Sequence, residues 1–159
     1  SNDKSSKFLV WKDALKRIEK ITKKKVRYFV DLDCTNPVRN KKDILETINL
    51  LKNNKKADAI ISISKAKKNP YFNMVEKSKN NMLKLSKKTK NSIYSRQQAP
   101  KVFEIVANIY CLKAKYLKKA KNLLEGNVLG YEVEQYKSYD VDTKYDLEIM
   151  KMFFKKFTK

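Results

Sequence analysis

A chain of 159 residues with 42% hydrophobic and 11% aromatic content fits one domain with a real core and is not disordered. Its formal net charge of +21 invites a polyanion, yet only Arg17, Arg27, Arg39 and Arg96 are arginines, and the lysines spread from end to end as on a solvated surface. That make-up argues against specific nucleic-acid recognition without removing it, apolar runs well short of the ~20 residues of a membrane span exclude one, and Cys34 and Cys111, without metal-ligand spacing, read as free thiols in the cytoplasm.

Phe8, Trp11, Leu15 and Ile18 recur at threes and fours with lysines opposite, which predicts an opening amphipathic helix. Val26, Tyr28, Phe29 and Val30 form an apolar run that predicts a buried strand, ended by Asp31 and Asp33, carboxylates that cannot be buried unpaired. Asn36 and Pro37 break the extended chain, and Arg39 precedes a second helix striped by Ile44, Ile48 and Leu51 and capped by Asn40. Residues 57–64, nearly all apolar and β-branched, predict a second buried strand. Residues 65–95 are rich in Lys and Asn and poorly supplied for self-burial; they read as a long solvated hairpin or loop, or an arm that packs on a partner.

Phe103, Ile105, Ala107, Ile109 and Cys111 alternate, so 103–112 is predicted as a strand with one apolar face. A helix over 113–124 follows, stopped by Gly126, and then a strand within 127–135. Leu147, Met150, Phe154 and Phe157 stripe a last helix. Helices alternating with buried strands predict an α/β fold with a mostly parallel sheet.

Three segments carry chemistry. Strand, polar turn and helix across 26–41 is how open α/β sheets present ligand-binding groups at their carboxyl edge. In Ser138-Tyr139-Asp140-Val141-Asp142-Thr143 two carboxylates at i and i+2 face one way and can share a hard cation. Helix capping by Thr143 with Asp146 explains part of that segment but not Asp140. In the segment over 94–103, Arg96 offers a fork for a carboxylate and Gln97 and Gln98 offer amides for hydroxyls, although an ordinary polar loop would read the same.

Leu32-Asp33-Cys34-Thr35-Asn36-Pro37-Val38-Arg39, the Arg96-Gln97-Gln98-Ala99-Pro100 run with Ile109-Tyr110 beyond it, and Ser138 to Thr143 followed by Asp146-Leu147 together resemble the acylneuraminate cytidylyltransferase (CMP-sialic acid synthetase) family, in the family's order. The resemblance implies a Rossmann-like nucleotide-diphospho-sugar transferase fold with a protruding dimerisation arm at 65–95. It also implies a nucleotidyltransferase that activates a sialic-acid-like 2-keto sugar acid with CTP, releasing pyrophosphate. By the same resemblance Asp140 and Asp142 bind Mg²⁺, and Asp33, Asn36, Arg39, Arg96, Gln97 and Gln98 face the sugar. Ser5 and Lys7, in a short stretch similar to the family's cytidine loop, would touch the nucleotide, though a helix cap by Ser5 or Ser6 reads equally well.

Three departures stand out. Val106-Ala107-Asn108 replaces the usual Asn-Gly-Ala, Asp33 replaces a Gln, and the glycine-rich CTP loop of the family's N-terminal third has no counterpart, since Gly126 and Gly130 both fall late. The expectation is an enzyme in full-length form, with residues 1–159 alone inactive and an uncovered sheet edge where the first strands belong. Two other readings remain in view: a haloacid-dehalogenase-like phosphatase using Asp31 and Asp33, and a lysine-rich nucleic-acid-binding module.

Overall fold

The computed structural model describes residues 7–157, so Ser5 lies outside the described residues. The chain divides into two compact units, Ser1–Ile63 with Ile105–Lys159, and Ser64–Glu104.

In the larger unit α1 (Lys7–Thr22) buries Phe8, Trp11 and Leu15, as the spacing predicts, while Ile18 stays exposed. β1 (Tyr28–Asp31) ends at the first carboxylate. α2 (Lys41–Asn53) is opened by Asn40, whose side chain accepts from the Asp43 amide while Asp43 accepts from the Asn40 amide, a reciprocal cap. Its innermost positions are Asp43, Thr47 and Leu51, so the buried stripe is polar at its start. β2 (Ala59–Lys65) is almost wholly buried, as its apolar run requires.

β3 (Val75–Lys77) and β4 (Leu83–Leu85) belong to the smaller unit, whereas β5 (Phe103–Lys113) from Ile105 onward, α3 (Ala114–Lys119), β6 (Val128–Glu132) and α4 (Lys144–Phe157) return to the larger. The main sheet runs β1-β5-β2-β6. It is mixed: β6 pairs parallel with β2, and β1 pairs antiparallel with β5. Among the described strands β1 stands at one edge. One face packs Phe8, Trp11, Leu15, Tyr110, Leu112 and Leu117 together, and the other gathers Leu51, Ile60 and Cys111. Helices covering both faces make this an α/β fold.

Two expectations fail locally. Phe103 and Ile105 are exposed while Val106 and Asn108 are buried, and beyond Asn108 both faces of β5 are covered. The alternating rule applies to a half-buried strand, and β5 is central. There the Ser62 hydroxyl donates toward the Val106 and Ile109 carbonyls and accepts from the Ile109 amide. The helix predicted to reach 124 ends at Lys119. Its following loop folds over Tyr116 instead, whose hydroxyl donates to the Asn122 and Leu123 carbonyls and accepts from the Gly126 amide. Gly126 is therefore not a helix stop. A Cβ there would sit 2.5 Å from the Tyr116 ring and 2.9 Å from the Asp58 carboxylate, so glycine permits the close approach.

In the smaller unit β3 and β4 form an antiparallel hairpin whose turn puts Asn81 at φ 64°, a left-handed conformation asparagine tolerates. Asn69 organises the rest: its carbonyl accepts from the amides of Phe72, Asn73 and Met74, and its side chain donates to the Pro100 carbonyl.

Candidate functional site

β1 delivers Asp31 and Asp33 to the mouth of the larger unit, and the polar turn after it folds back on itself. Asp33 Oδ1 accepts from the amide and hydroxyl of Thr35, each at 3.0 Å, the local bonding that lets a short acidic side chain shape a turn. Lys7, from the start of α1, donates to Asp33 Oδ2 and makes an ion contact of 2.9 Å with Asp31 Oδ2. Its ammonium lies 4.6 Å from the centre of the Tyr110 ring and 5.3 Å from that of Trp11, in cation–π range. Burial alone would raise the pKa of Asp33, but the bonds from Lys7 and the Thr35 amide overcome it and hold the carboxyl below its ordinary range. Lys7 shows the converse: burial lowers its pKa, and hydrogen bonds to Asp33 and Asp31 lift it above the usual lysine value.

The turn is bolted down by Arg39. One guanidinium nitrogen, Nη1, donates to the carbonyls of Asp33 (2.8 Å), Asn36 (2.7 Å) and, on β5, Asn108 (3.2 Å). Asn36 is fully buried. Its Nδ2 donates to Asp140 Oδ1 at 3.1 Å, and its Oδ1 accepts from Asn108 Nδ2, which also donates to the Val38 carbonyl at 2.8 Å. Asn108 Oδ1 is buried with no hydrogen-bond partner among the described residues. A backbone bond from the Val141 amide to the Thr35 carbonyl (2.7 Å) docks the 140–142 segment on the same turn.

Lys7, the turn residues Asp33, Asn36 and Arg39, Asn108 and Asp140 are thus brought together by four separate segments of one unit. Asp142 follows on the exposed side, where its amide and the amide and hydroxyl of Thr143 all donate to Asp146 Oδ2, capping α4. The cap uses Thr143 and Asp146 and leaves the carboxylates of Asp140 and Asp142 for other work. Among the described residues no cluster of three or more His, Cys, Asp or Glu could hold a metal. A pair of carboxylates, one half-buried and fixed by an amide, nonetheless fits Mg²⁺, which takes one or two protein carboxylates and fills its remaining positions with phosphate oxygens and water.

Arg96, Gln97 and Gln98 form a short 3₁₀ turn in the smaller unit. Arg96 Nη2 donates to the Lys67 carbonyl, and Gln98 Oε1 accepts from the Tyr94 amide. Arg96 and Gln97 line a recess of about 330 Å³ with Lys65, Asn69 and Lys101.

Sequence reasoning missed three participants. Asn108 had a readable signal, an amide inside an otherwise apolar strand. Tyr110 was noted only as part of a motif. Lys137 had none, being one lysine among many, yet it is nearly fully buried, donating to both carboxylate oxygens of Asp43 at 2.9 Å and paired with Glu134 at 2.7 Å. Burial lowers its pKa, and hydrogen bonds to Glu134 and Asp43 more than restore it. With Arg39, Asn40, Tyr136, Phe153 and Phe154 it lines a cleft of about 530 Å³ beside the turn.

No family model matches the sequence. Two curated relatives do. Over 155 residues the chain is 28% identical to a post-translational flagellin modification protein B of Campylobacter coli, covering 98% of this chain and 64% of that protein. Over 150 residues it is 30% identical to a CMP-N,N'-diacetyllegionaminic acid synthase of Campylobacter jejuni, covering 94% of this chain and 62% of that one. The chain therefore spans a little under two thirds of the length of the curated relatives it matches. Among solved structures, a 4-diphosphocytidyl-2C-methyl-D-erythritol synthase of Anaerococcus prevotii superposes with a TM-score of 0.61, at 16% identity, over 95% of this chain and 67% of that one. At that identity the likeness is one of fold, and the fold is the Rossmann-like nucleotidyltransferase one. These relatives favour neither the phosphatase nor the nucleic-acid reading.

Proposed function

We propose, on the premise that this chain belongs to the cytidylyltransferase family of its relatives, that the protein couples CTP to a 2-keto sugar acid to give a CMP-sugar and pyrophosphate. The observation that carries this reading is the Asn36–Asp140 bond, which joins the strand-end turn to the acidic segment 104 residues later and so makes one site of two motifs. The name of the C. jejuni relative, a CMP-N,N'-diacetyllegionaminic acid synthase, supports a nine-carbon acid of the sialic type.

In the transfer the anomeric hydroxyl oxygen of the sugar bonds to the α-phosphorus of CTP. The bond from that phosphorus to the bridging oxygen breaks, pyrophosphate leaves, and the hydroxyl proton passes to solvent. Phosphoryl-group chemistry of this kind rests on positioning and charge neutralisation. Asp140 and Asp142 would hold Mg²⁺, which neutralises triphosphate charge. The turn over 33–39, clasped by Arg39, orients Asp140 through Asn36. Asp33, which stands where the family usually has an amide, presents its charge to Lys7, so the pair can sit beside an acidic sugar without a bare carboxylate facing it. In the smaller unit, Arg96, Gln97 and Gln98 offer a guanidinium and amides suited to a carboxylate and hydroxyls, Arg96 and Gln97 at a recess of that unit.

The hairpin unit further supports a homodimer, and the free cysteines together with a CTP co-substrate support the cytoplasm. No helix among the described residues is long and apolar enough to cross a membrane.

The test is transfer from CTP to a panel of 2-keto sugar acids by the complete protein, with Asp140→Asn beside it. CMP-sugar formation that the substitution lowers by at least about 10²-fold, with the fold retained, is expected when a preorganised charge-stabilising group is lost. No product with any acid of the panel overturns the substrate class, and undiminished turnover in Asp140→Asn overturns the metal assignment.

A further inference from the structure

We propose that Asn108 is a positioning residue for Asp140, acting through Asn36 to fix the direction and hydrogen-bond polarity of that carboxylate. The inference rests on the reading of Asp140 as a divalent-cation ligand and extends it to a strand that carries no ligand of its own.

The polarity of this relay is forced from both ends. An ionised carboxylate only accepts hydrogen bonds, so Asn36 must turn its Nδ2 to Asp140 Oδ1, which leaves Asn36 Oδ1 facing β5. Asn108 must then present Nδ2 to Asn36, and the Val38 carbonyl beside it, also an acceptor, demands the same orientation. Neither amide can flip without setting oxygen against oxygen. With one oxygen of Asp140 committed to Asn36, the direction of the other is set, and the relay that sets it is anchored in the centre of the sheet.

The orphaned oxygen of Asn108 points the same way. Asn36 and Asn108 are both fully buried, and an unpartnered acceptor in such a place is a standing cost that an apolar side chain would not carry. What the amide supplies in exchange is the Nδ2 that holds Asn36. Groups that orient a metal ligand from behind typically change metal affinity by about 10–100-fold when removed, without touching the ion.

The experiment titrates Mn²⁺ into the complete protein with CTP present, following free Mn²⁺ by electron paramagnetic resonance, and measures CTP binding without metal and urea unfolding alongside. Asn108→Ala is expected to weaken Mn²⁺ binding about tenfold. Asn108→Asp, which offers only acceptors to Asn36 Oδ1 and the Val38 carbonyl, should weaken it at least as much. Asn36→Ala breaks the same relay one link nearer, and the Asn36→Ala/Asn108→Ala double variant should lose no more than the larger single loss. If Asn108→Ala does not fold, Asn36→Ala with Asn108→Asp carries the test.

Unchanged Mn²⁺ affinity in folded relay variants, while Asp140→Asn abolishes binding, overturns the relay and leaves the metal site standing. Wild-type Mn²⁺ binding in Asp140→Asn removes the metal reading and the relay with it. A loss that appears equally in metal-free CTP binding marks general collapse of the site and also overturns the proposal.

Discussion

Asp33 and Lys7 show how a second carboxylate at a strand end is absorbed at the level of one side chain. Asp33 adds a negative charge beside Asp31, and the Lys7 ammonium, laid over Tyr110, answers both. Because Asp33 is held below its ordinary value of 3.8, the stability it contributes is present above that value and is lost as pH falls through the depressed pKa. Lys7, held above 10.5, contributes fully below that value and loses its contribution as pH rises through the raised one. Lys7→Met should therefore destabilise the protein by about 1 kcal/mol, the upper end for a partly exposed pair. In thermal melts the deficit should be flat from about pH 5 to 9 and close toward either extreme. A deficit that instead grows as pH falls below 3.8 would show that these charges do not act as a pair. The sequence offered both carboxylates as a strand end, but Lys7 reaches them from 24 and 26 residues away, a distance no local pattern reports.

Elements were most legible where their chemistry is local. The Asn40 cap, the buried run of β2 and the Thr143–Asp146 cap all depend on residues a few positions apart, and all three stand as read. The misread elements depend on distant partners: β5 lost its alternation to neighbours on both sides, and α3 was cut short by a loop that bonds to Tyr116. α2 carries both kinds of information at once. Asp43 closes the helix cap that Asn40 announces in the sequence, and also receives Lys137, which no local pattern reports. Their side chains are 6% and 4% exposed, so removing one partner leaves a charge in a dry place. Lys137→Met should lower unfolding free energy by about 3–5 kcal/mol in urea denaturation, and adding Asp43→Asn should recover part of it. Equal losses in the single and double variants would mean that Asp43 is not the group left stranded.

At the scale of the whole molecule the α/β class was legible because buried strands alternate with striped helices, while the homodimer proposed above rests in the sequence only on a shortage of apolar residues in 65–95. The hairpin there leaves Met82 at 70% and Leu83 at 65% exposure, with Val75 open as well. A dimer built on this unit should bury more than about 1,000 Å² and appear by light scattering as twice the chain mass. Met82→Glu with Leu83→Lys should raise its dissociation constant at least about tenfold without unfolding the sheet. A wild-type protein that stays monomeric at high micromolar concentration rules the arm out as the pairing element.

The reach of Arg39 has a bearing on how such a site can change over generations. A single nitrogen gathers carbonyls from the turn and from a strand some seventy residues away, and the amide pair beneath it ties in a third segment. The turn is accordingly not a portable module: lifted onto another scaffold it would leave behind the parts that give it shape. Within this scaffold, positions 36 and 108 are not independent letters either. A side chain at 36 that accepts nothing strands the donor at 108, and a side chain at 108 that donates nothing leaves the Asn36 oxygen unheld from the strand side. Asp33, whose side chain among the described residues bonds Thr35 and Lys7, can therefore be exchanged with less disturbance to this network, while 36, 39 and 108 are exchanged together or not at all.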